Sequence, residues 1–270
     1  MTATDAPSQP DDALRLSIVV PALNEQDNIE PLVRRIHDTM EQAGIKFELV
    51  VVDDGSTDAT LDRLKRLMED RPWLRVLHRP TPMGQSAAMY AGIQAARGEC
   101  VATLDADLQN DPADLPGMLQ LIDQGQADFV QGDRSANRND HAIRKIGSLI
   151  GRKARLWVLG DPVRDTGCSA RVVRAQIARQ LPLQFKGMHR FMPAYARIIG
   201  ARIVEVQVKH HPRHSGTTKY GLGLLSRGPA GLFDLFAVRW MAKRYRDCSA
   251  EPIPAEHTSV TQNPVMEVTR

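Results

Sequence analysis

Cysteine is scarce, long apolar runs are missing, and neither sign of charge dominates. The three cysteines, Cys100, Cys168 and Cys248, are an odd number without metal-ligand spacing, and two lie inside apolar or mixed runs. That argues against a disulfide framework and for a reduced compartment. No stretch reaches the roughly 18 uninterrupted apolar residues that a membrane-spanning helix needs. Met1 to Asp12 carries Asp5, Asp11 and Asp12 without an apolar segment, which is not the pattern of a signal peptide. Net charge of +3 and pI ≈ 8.8 are only mildly basic, so composition does not argue for nucleic acid as a partner. The expectation is a cytoplasmic protein that can still lie on a membrane surface.

What is present suits a globular enzyme. At 270 residues, with 42% hydrophobic and 25% charged residues, the chain can bury a large core as one domain with at most an appendage. Residues 1–13 and 247–270 are rich in polar residues and proline and are expected to be disordered ends. Between them apolar runs alternate with helical periodicity. Leu16–Val20, Phe47–Val52, Leu74–Leu77, Val101–Leu104 and Asp128–Gln131 read as strands. Helices are expected through Ile29 to Met40, Leu61 to Met68, Gly84 to Ala96 and Leu115 to Ile122. Repeated β-α-β units with continuous apolar strands predict a mostly parallel α/β sheet flanked by helices on both faces. Ligands in such sheets sit at the carboxyl ends of strands. After residue 132 the pattern changes, with basic apolar helices at 142–160 and 222–246 and a later strand within Ala201–His210.

The polar motifs fall at those strand ends. Asp105 and Asp107 lie two apart where the fourth strand runs out, so in extended chain both carboxylates face one point. Two readings fit: a site for a hard cation such as Mg²⁺ or Mn²⁺, or a polar turn in which Asn110 or Asp111 caps a helix that Pro112 begins. The first strand ends in Pro21-Ala22-Leu23-Asn24-Glu25, where Asn24 has the position of a helix cap. The second ends in Asp53-Asp54-Gly55-Ser56-Thr57-Asp58, two adjacent acids that are not both expected in the core, with Asp58 placed to cap the next helix. Surplus acids on three strand ends of one sheet edge point to a bound ligand.

These three segments, in order and spacing, resemble the signatures of family 2 glycosyltransferases of the GT-A fold, which are nucleotide-diphospho-sugar transferases. Within that family the chain is most similar to dolichyl-phosphate mannose synthases and bacterial polyprenyl-phosphate glycosyltransferases, over about residues 14–245. The resemblance implies a catalytic domain at 14–220 and an amphipathic juxtamembrane-type helix at 221–246. It implies that Pro21, Ala22, Asn24, Glu25, Asp53 and Asp54 line the pocket for base and ribose of a GDP-mannose-like or UDP-sugar donor. It places Asp105, Ala106 and Asp107 on the donor diphosphate, with Asp105, Asp107 and Gln109 as metal ligands. Gly84 and Gln85 match the family's glycine turn, with glutamine where many members carry lysine.

Downstream, Gly132-Asp133-Arg134 resembles the start of the acceptor loop, and Arg144 and Ser148 resemble the pair that meets the lipid phosphate. Asp165 heads Asp165-Thr166-Gly167-Cys168-Ser169-Ala170-Arg171, a rearranged form of a family segment, and is expected in the site. His210–Tyr220 resembles the loop that closes over the diphosphate and supplies Arg213 and Lys219. Its histidines, without a carboxylate cluster, read as a solvated loop rather than a metal site. Asp107, Arg134 and Asp165 are the expected catalytic residues.

The acceptor's chemistry explains why no dedicated base is required. An alcohol acceptor must lose a proton to a general base, whereas a phosphate monoester is already ionised near neutral pH. Holding two anions together needs cations instead, which Arg134, Arg144, Arg213, Lys219 and a metal would supply. Single displacement with inversion onto dolichyl or undecaprenyl phosphate follows. The two basic apolar helices read either as interfacial helices on anionic lipid or as ordinary packing with solvated charges. The first reading gives a peripheral enzyme on the inner face of the cytoplasmic membrane, anchored directly or by a membrane protein. A same-family alternative uses a saccharide acceptor in cell-envelope polysaccharide synthesis, with Asp165 as base. A DxD-type phosphohydrolase fits poorly, because Leu108 and Gln109 follow Asp107. The remaining alternative is a non-catalytic nucleotide-binding regulator.

Overall fold

The computed structural model describes residues 14–135, 142–212 and 224–247, with side chains from 149 and from 231 onward in the last two segments. Apolar runs become strands β1 (Leu16–Ala22), β2 (Phe47–Asp53), β3 (Leu74–His78), β4 (Cys100–Thr103) and β5 (Phe129–Asp133). Later come β6 (Arg171–Arg174) and β7 (Ile203–Gln207). The helices are α1 (Gln26–Gln42), α2 (Thr60–Met68), α3 (Gln85–Ala95), α4 (Leu115–Asp123), α5 (Ala142–Leu159), α6 (Ala175–Ala178), α7 (Met192–Ile198) and α8 (Leu224–Arg244).

The strands form one seven-stranded sheet in the order β3-β2-β1-β4-β6-β5-β7. β1 is parallel to both β2 and β4, so Ala22, Asp53 and the residues after Thr103 emerge at one edge. The antiparallel member is β6, between β4 and β5. No strand is predicted for Arg171–Arg174, whose two valines are bracketed by arginines; β6 forms because flanking strands bury Val172 and Val173 from both sides.

Each central strand is buried on both faces, which is why it reads as a continuous apolar run rather than an alternating one. Ile18, Val20, Leu49 and Val51 pack with α1 and α4, and Val19, Val50, Val52 and Val101 pack with α3 and the C-terminal helices. Gly92 lets α3 lie close to the sheet: a Cβ there would sit 2.4 Å from Val19 Cγ1. α8 sets Leu235 and Val238 into the second cluster while Leu232, Phe233, Phe236 and Trp240 stay exposed. Lys243 and Arg244 lie in its last turn.

Candidate active site

The turn after β1 is clamped to the turn after β2. Asn24 takes a left-handed backbone (φ 51) and its Oδ1 accepts from Thr57 N at 2.8 Å. Its own N–H donates to Ser56 Oγ, so Asn24 ties two loops together rather than capping α1. Glu25 is the residue before α1; its carbonyl accepts from Asn28 N and its carboxylate from Asn28 Nδ2 at 2.6 Å. Asp58 Oδ1 accepts from Thr60 N at the head of α2, as expected. Pro21 and Ala22 complete this wall at the end of β1.

Asp53 and Asp54 are both buried, contrary to the expectation that adjacent acids would not share the core. They are tolerated because each has a partner. Asp54 accepts from Gly84 N at 2.6 Å and Met83 N at 3.1 Å and lies 3.5 Å from Arg79 Nε. Its carboxylate thus shapes the turn before α3, where Gly84 has φ 92. Asp53 Oδ2 meets His78 Nδ1 at 2.8 Å, while Oδ1 is buried without a hydrogen-bond partner. An orphaned carboxylate oxygen at a strand end is what a ring N–H of a base would satisfy.

Asp105 and Asp107 close β4. Burial, then the neighbouring Asp107 carboxylate, raise the Asp105 pKa above the usual carboxylate value, partly offset by Ser169, Arg171 and Arg134. Gln85 Nε2 donates to Asp105 Oδ1 at 2.7 Å, so glutamine here does touch the acidic pair, as a neutral donor. Between Asp107 and Gln109, Leu108 is held at φ 60, a strained setting for a bulky residue, because its side chain is locked in the core. That turn brings Gln109 N to 3.2 Å from Asp107 Oδ1 and leaves the half-buried Gln109 carboxamide without a hydrogen-bond partner among the described residues. Asp111 Oδ1 accepts from Ala113 N and caps the turn that Pro112 opens, as one of the two readings expects. Ala106 is buried between the two acids.

Among the described residues no three His, Cys, Asp or Glu side chains gather as a metal cage. Two mutually repelling carboxylates and a spare carboxamide do suit a divalent cation whose remaining ligands are water and phosphate oxygens.

Across the site, Arg134 and Asp165 form a two-pronged ion pair: Nε to Oδ2 at 2.8 Å and Nη2 to Oδ1 at 3.1 Å. Gly167 N adds a donor to Oδ1 at 3.1 Å. Burial opposes the Arg134 charge, but the Asp165 bonds and charge outweigh it and hold the guanidinium protonated. Its Nη1 has no protein partner among the described residues and reaches solvent.

Several supporting residues are not foreseen from sequence. Ser169 Oγ accepts from Asp105 N at 3.0 Å and Asn110 Nδ2 at 2.7 Å, fixing the acidic loop from behind. Arg171 is fully buried, with Nε on Gln131 Oε1 at 2.8 Å and Nη2 on Thr166 O at 2.9 Å. Its signal was a lone arginine leading an apolar pair. Burial pushes the Cys168 thiol up to about 11, so it is an inert core group. Arg144 and Ser148 fall in the backbone of α5 without described side chains, and Arg213 and Lys219 lie outside the described residues.

Residues 17–181 match the family described as "Glycosyl transferase family 2". The chain belongs to that family. It is 38% identical over 244 residues to the dodecaprenyl-phosphate galacturonate synthase of Rhizobium johnstonii, covering 87% of this chain and 70% of that one. It is 37% identical over 207 residues to the undecaprenyl-phosphate 4-deoxy-4-formamido-L-arabinose transferase of Pseudomonas syringae, covering 76% of this chain and 60% of the relative. The mannosyltransferase PcManGT from Pyrobaculum calidifontis, solved with GDP-Man and Mn²⁺, shares the fold at TM-score 0.61 and 19% identity, over 91% of this chain and 69% of that chain. Mycobacterium tuberculosis glucosyl-3-phosphoglycerate synthase, solved with Mn²⁺, UDP and phosphoglyceric acid, does so at TM-score 0.61 and 20% identity, over 87% of this chain and 80% of that chain. The fold is GT-A and the protein is a glycosyltransferase.

Proposed function

We propose that this glycosyltransferase moves one sugar from a nucleotide sugar to the phosphate of a polyprenyl lipid, with inversion at the anomeric carbon. The observation that carries the reading is the Arg134–Asp165 pair. A carboxylate gripped by both prongs of a guanidinium and by the Gly167 amide is a poor proton acceptor, so the saccharide-acceptor alternative loses its base. What the site offers an acceptor is the outward nitrogen of Arg134, a cation suited to phosphate. Both relatives carry a polyprenyl phosphate in their names.

On this reading Asp53 Oδ1 takes a base N–H, and the β1 and β2 turns hold the ribose. Asp105, Asp107 and Gln109 would hold Mg²⁺ or Mn²⁺, which would supply positive charge beside the departing diphosphate. Arg134, with Arg144 and Ser148, orients the lipid phosphate. A phosphate oxygen attacks the anomeric carbon, the bond from that carbon to the diphosphate oxygen breaks, and the nucleoside diphosphate leaves with the electron pair. No proton has to be removed from the nucleophile.

The acceptor's lipid gives the exposed apolar residues a use. Leu149, Ile150, Leu156 and Trp157 on α5 and Leu232, Phe233, Phe236 and Trp240 on α8 are exposed, beside Arg152, Lys153, Lys243 and Arg244. Apolar and basic side chains mixed in this way suit the headgroup layer of an anionic membrane. Arg155 is excluded from that role, because it turns inward to Asp161 at 3.0 Å and Val163 O at 2.5 Å. No described helix is long and apolar enough to cross a membrane. We place the enzyme peripherally, on the inner leaflet.

The test is acceptor choice with Mn²⁺ present, offering farnesyl phosphate, farnesol and a short oligosaccharide to the same donor panel. Product from farnesyl phosphate alone, with inverted anomeric configuration by NMR, is expected. Glycosylated farnesol or oligosaccharide, or retained configuration, would overturn the reading.

A further inference from the structure

His189 stands in a short turn, Met188–Arg190, set by the left-handed Gly187 (φ 83), and the mechanism above makes no use of it. Its ring Nδ1 is 2.7 Å from Ser86 Oγ, and its own backbone N–H donates to the same oxygen at 3.2 Å. Ser86 follows Gln85, whose amide holds Asp105, so the Ser86–His189 contact stands one residue along α3 from a contact of the acidic pair. Ser86 is buried and has no other acceptor among the described residues. Its hydroxyl hydrogen is therefore directed at Nδ1, which puts the ring proton on Nε2. That nitrogen has no protein partner among the described residues and is not sealed from solvent. Burial, then the charges of Arg171 and Arg190, pull the His189 pKa down to about 3, so the ring is neutral at physiological pH.

Apart from the Gln109 carboxamide, which the proposed function gives to the metal, the rest of the donor wall presents acids or groups already bound to one another. A neutral N–H donor there suits an uncharged oxygen, and the unassigned uncharged oxygens of a nucleotide sugar are the sugar hydroxyls. We propose that His189, aligned by Ser86, is a specificity-determining residue whose Nε2–H donates to a hydroxyl of the sugar being transferred. The inference rests on the nucleotide-sugar reading. It adds a contact to the sugar that is separate from the base site and from the diphosphate site.

Two substitutions separate this role from a structural one. His189→Asn places an amide near the position of Nδ1, keeping the Ser86 contact and losing the outer donor. His189→Gln reaches the position of Nε2 and keeps the outer donor. UDP-galacturonic acid, UDP-glucose and GDP-mannose are titrated by calorimetry with Mn²⁺, each beside its free nucleoside diphosphate. Transfer to farnesyl phosphate is then measured with the tightest donor. The expected result for His189→Asn is diphosphate affinity within about twofold of wild type and transfer lowered about tenfold, the scale of one lost hydrogen bond. His189→Gln recovers most of that transfer. The reverse order, or diphosphate affinity falling in parallel with transfer, would overturn the proposal and make His189 a packing residue. Wild-type protein that binds none of the diphosphates would instead overturn the donor reading on which the proposal stands.

Discussion

β2 and β4 each end in a pair of aspartates, and the fold uses the two pairs in opposite ways. At the end of β2 the second acid is consumed by the protein, since Asp54 accepts the Met83 and Gly84 amides and builds the turn that starts α3. At the end of β4 the acids are left in mutual repulsion, with Asp105 raised by burial and by Asp107. Asp54 places its charge in backbone hydrogen bonds, whereas, on the proposed function, Asp105 and Asp107 keep theirs for a cation. Acids close together in sequence therefore do not share a role: Asp54 is bound into a turn, whereas the partners of Asp105 leave its pKa raised.

Substitutions should split the two pairs. Asp107→Ala is expected to lower transfer by about 10³-fold or more with little loss of folding stability, because it also removes a carboxylate that repels the buried Asp105. Asp54→Asn should behave the other way, with a lower melting temperature and transfer reduced about tenfold through the displaced Gly84 turn. If Asp107→Ala melted far below wild type while Asp54→Asn stayed as stable as wild type, the contrast would be wrong.

A metal titration sharpens the same contrast. The proton and the cation compete for Asp105, whose pKa lies above its ordinary 3.8 in the folded state. Without metal, folding therefore loses stability as pH rises from 3.8 through the raised value, because charging Asp105 is disfavoured in the folded protein. Added Mn²⁺ should return that stability, so the melting shift it causes should grow with pH across this window. A Mn²⁺ shift that is flat with pH would place the ion elsewhere.

The smallest expected effect lies far from the site. Asp128 is held down to about 2 by Arg202, with Arg174 assisting, and ties the start of β5 to the start of β7. Its stabilisation is present above pH 3.8 and lost as pH falls toward 2. Asp128→Asn should lower the melting temperature by about 2–4 °C at neutral pH and leave transfer unchanged.

The N-terminal half of the molecule was legible because its signals are local. Strands buried on both faces announce themselves as apolar runs, and the acids at their ends stand out against that background. The C-terminal half was not, because its structure is non-local. β6 exists only because β4 and β5 flank it, and Arg171 is tolerated in the core only because Gln131 and Thr166 carry acceptors to it. Asp165 was foreseen as a site residue, but its pairing with Arg134, 31 positions away, decides what it does. The Ser86–His189 contact spans 103 positions and left no pattern in sequence.

The central claim is that Asp165 positions Arg134 and does not act as a base, and a double-substitution cycle tests it directly. Transfer to farnesyl phosphate is measured for wild type, Asp165→Asn, Arg134→Gln and the combination. Positioning predicts that the double variant is no slower than Arg134→Gln alone, within about twofold, with the Asp165→Asn loss appearing mainly in the acceptor KM. Independent losses that multiply, with Asp165→Asn lowering kcat alone, would contradict it and return the carboxylate to the role of base.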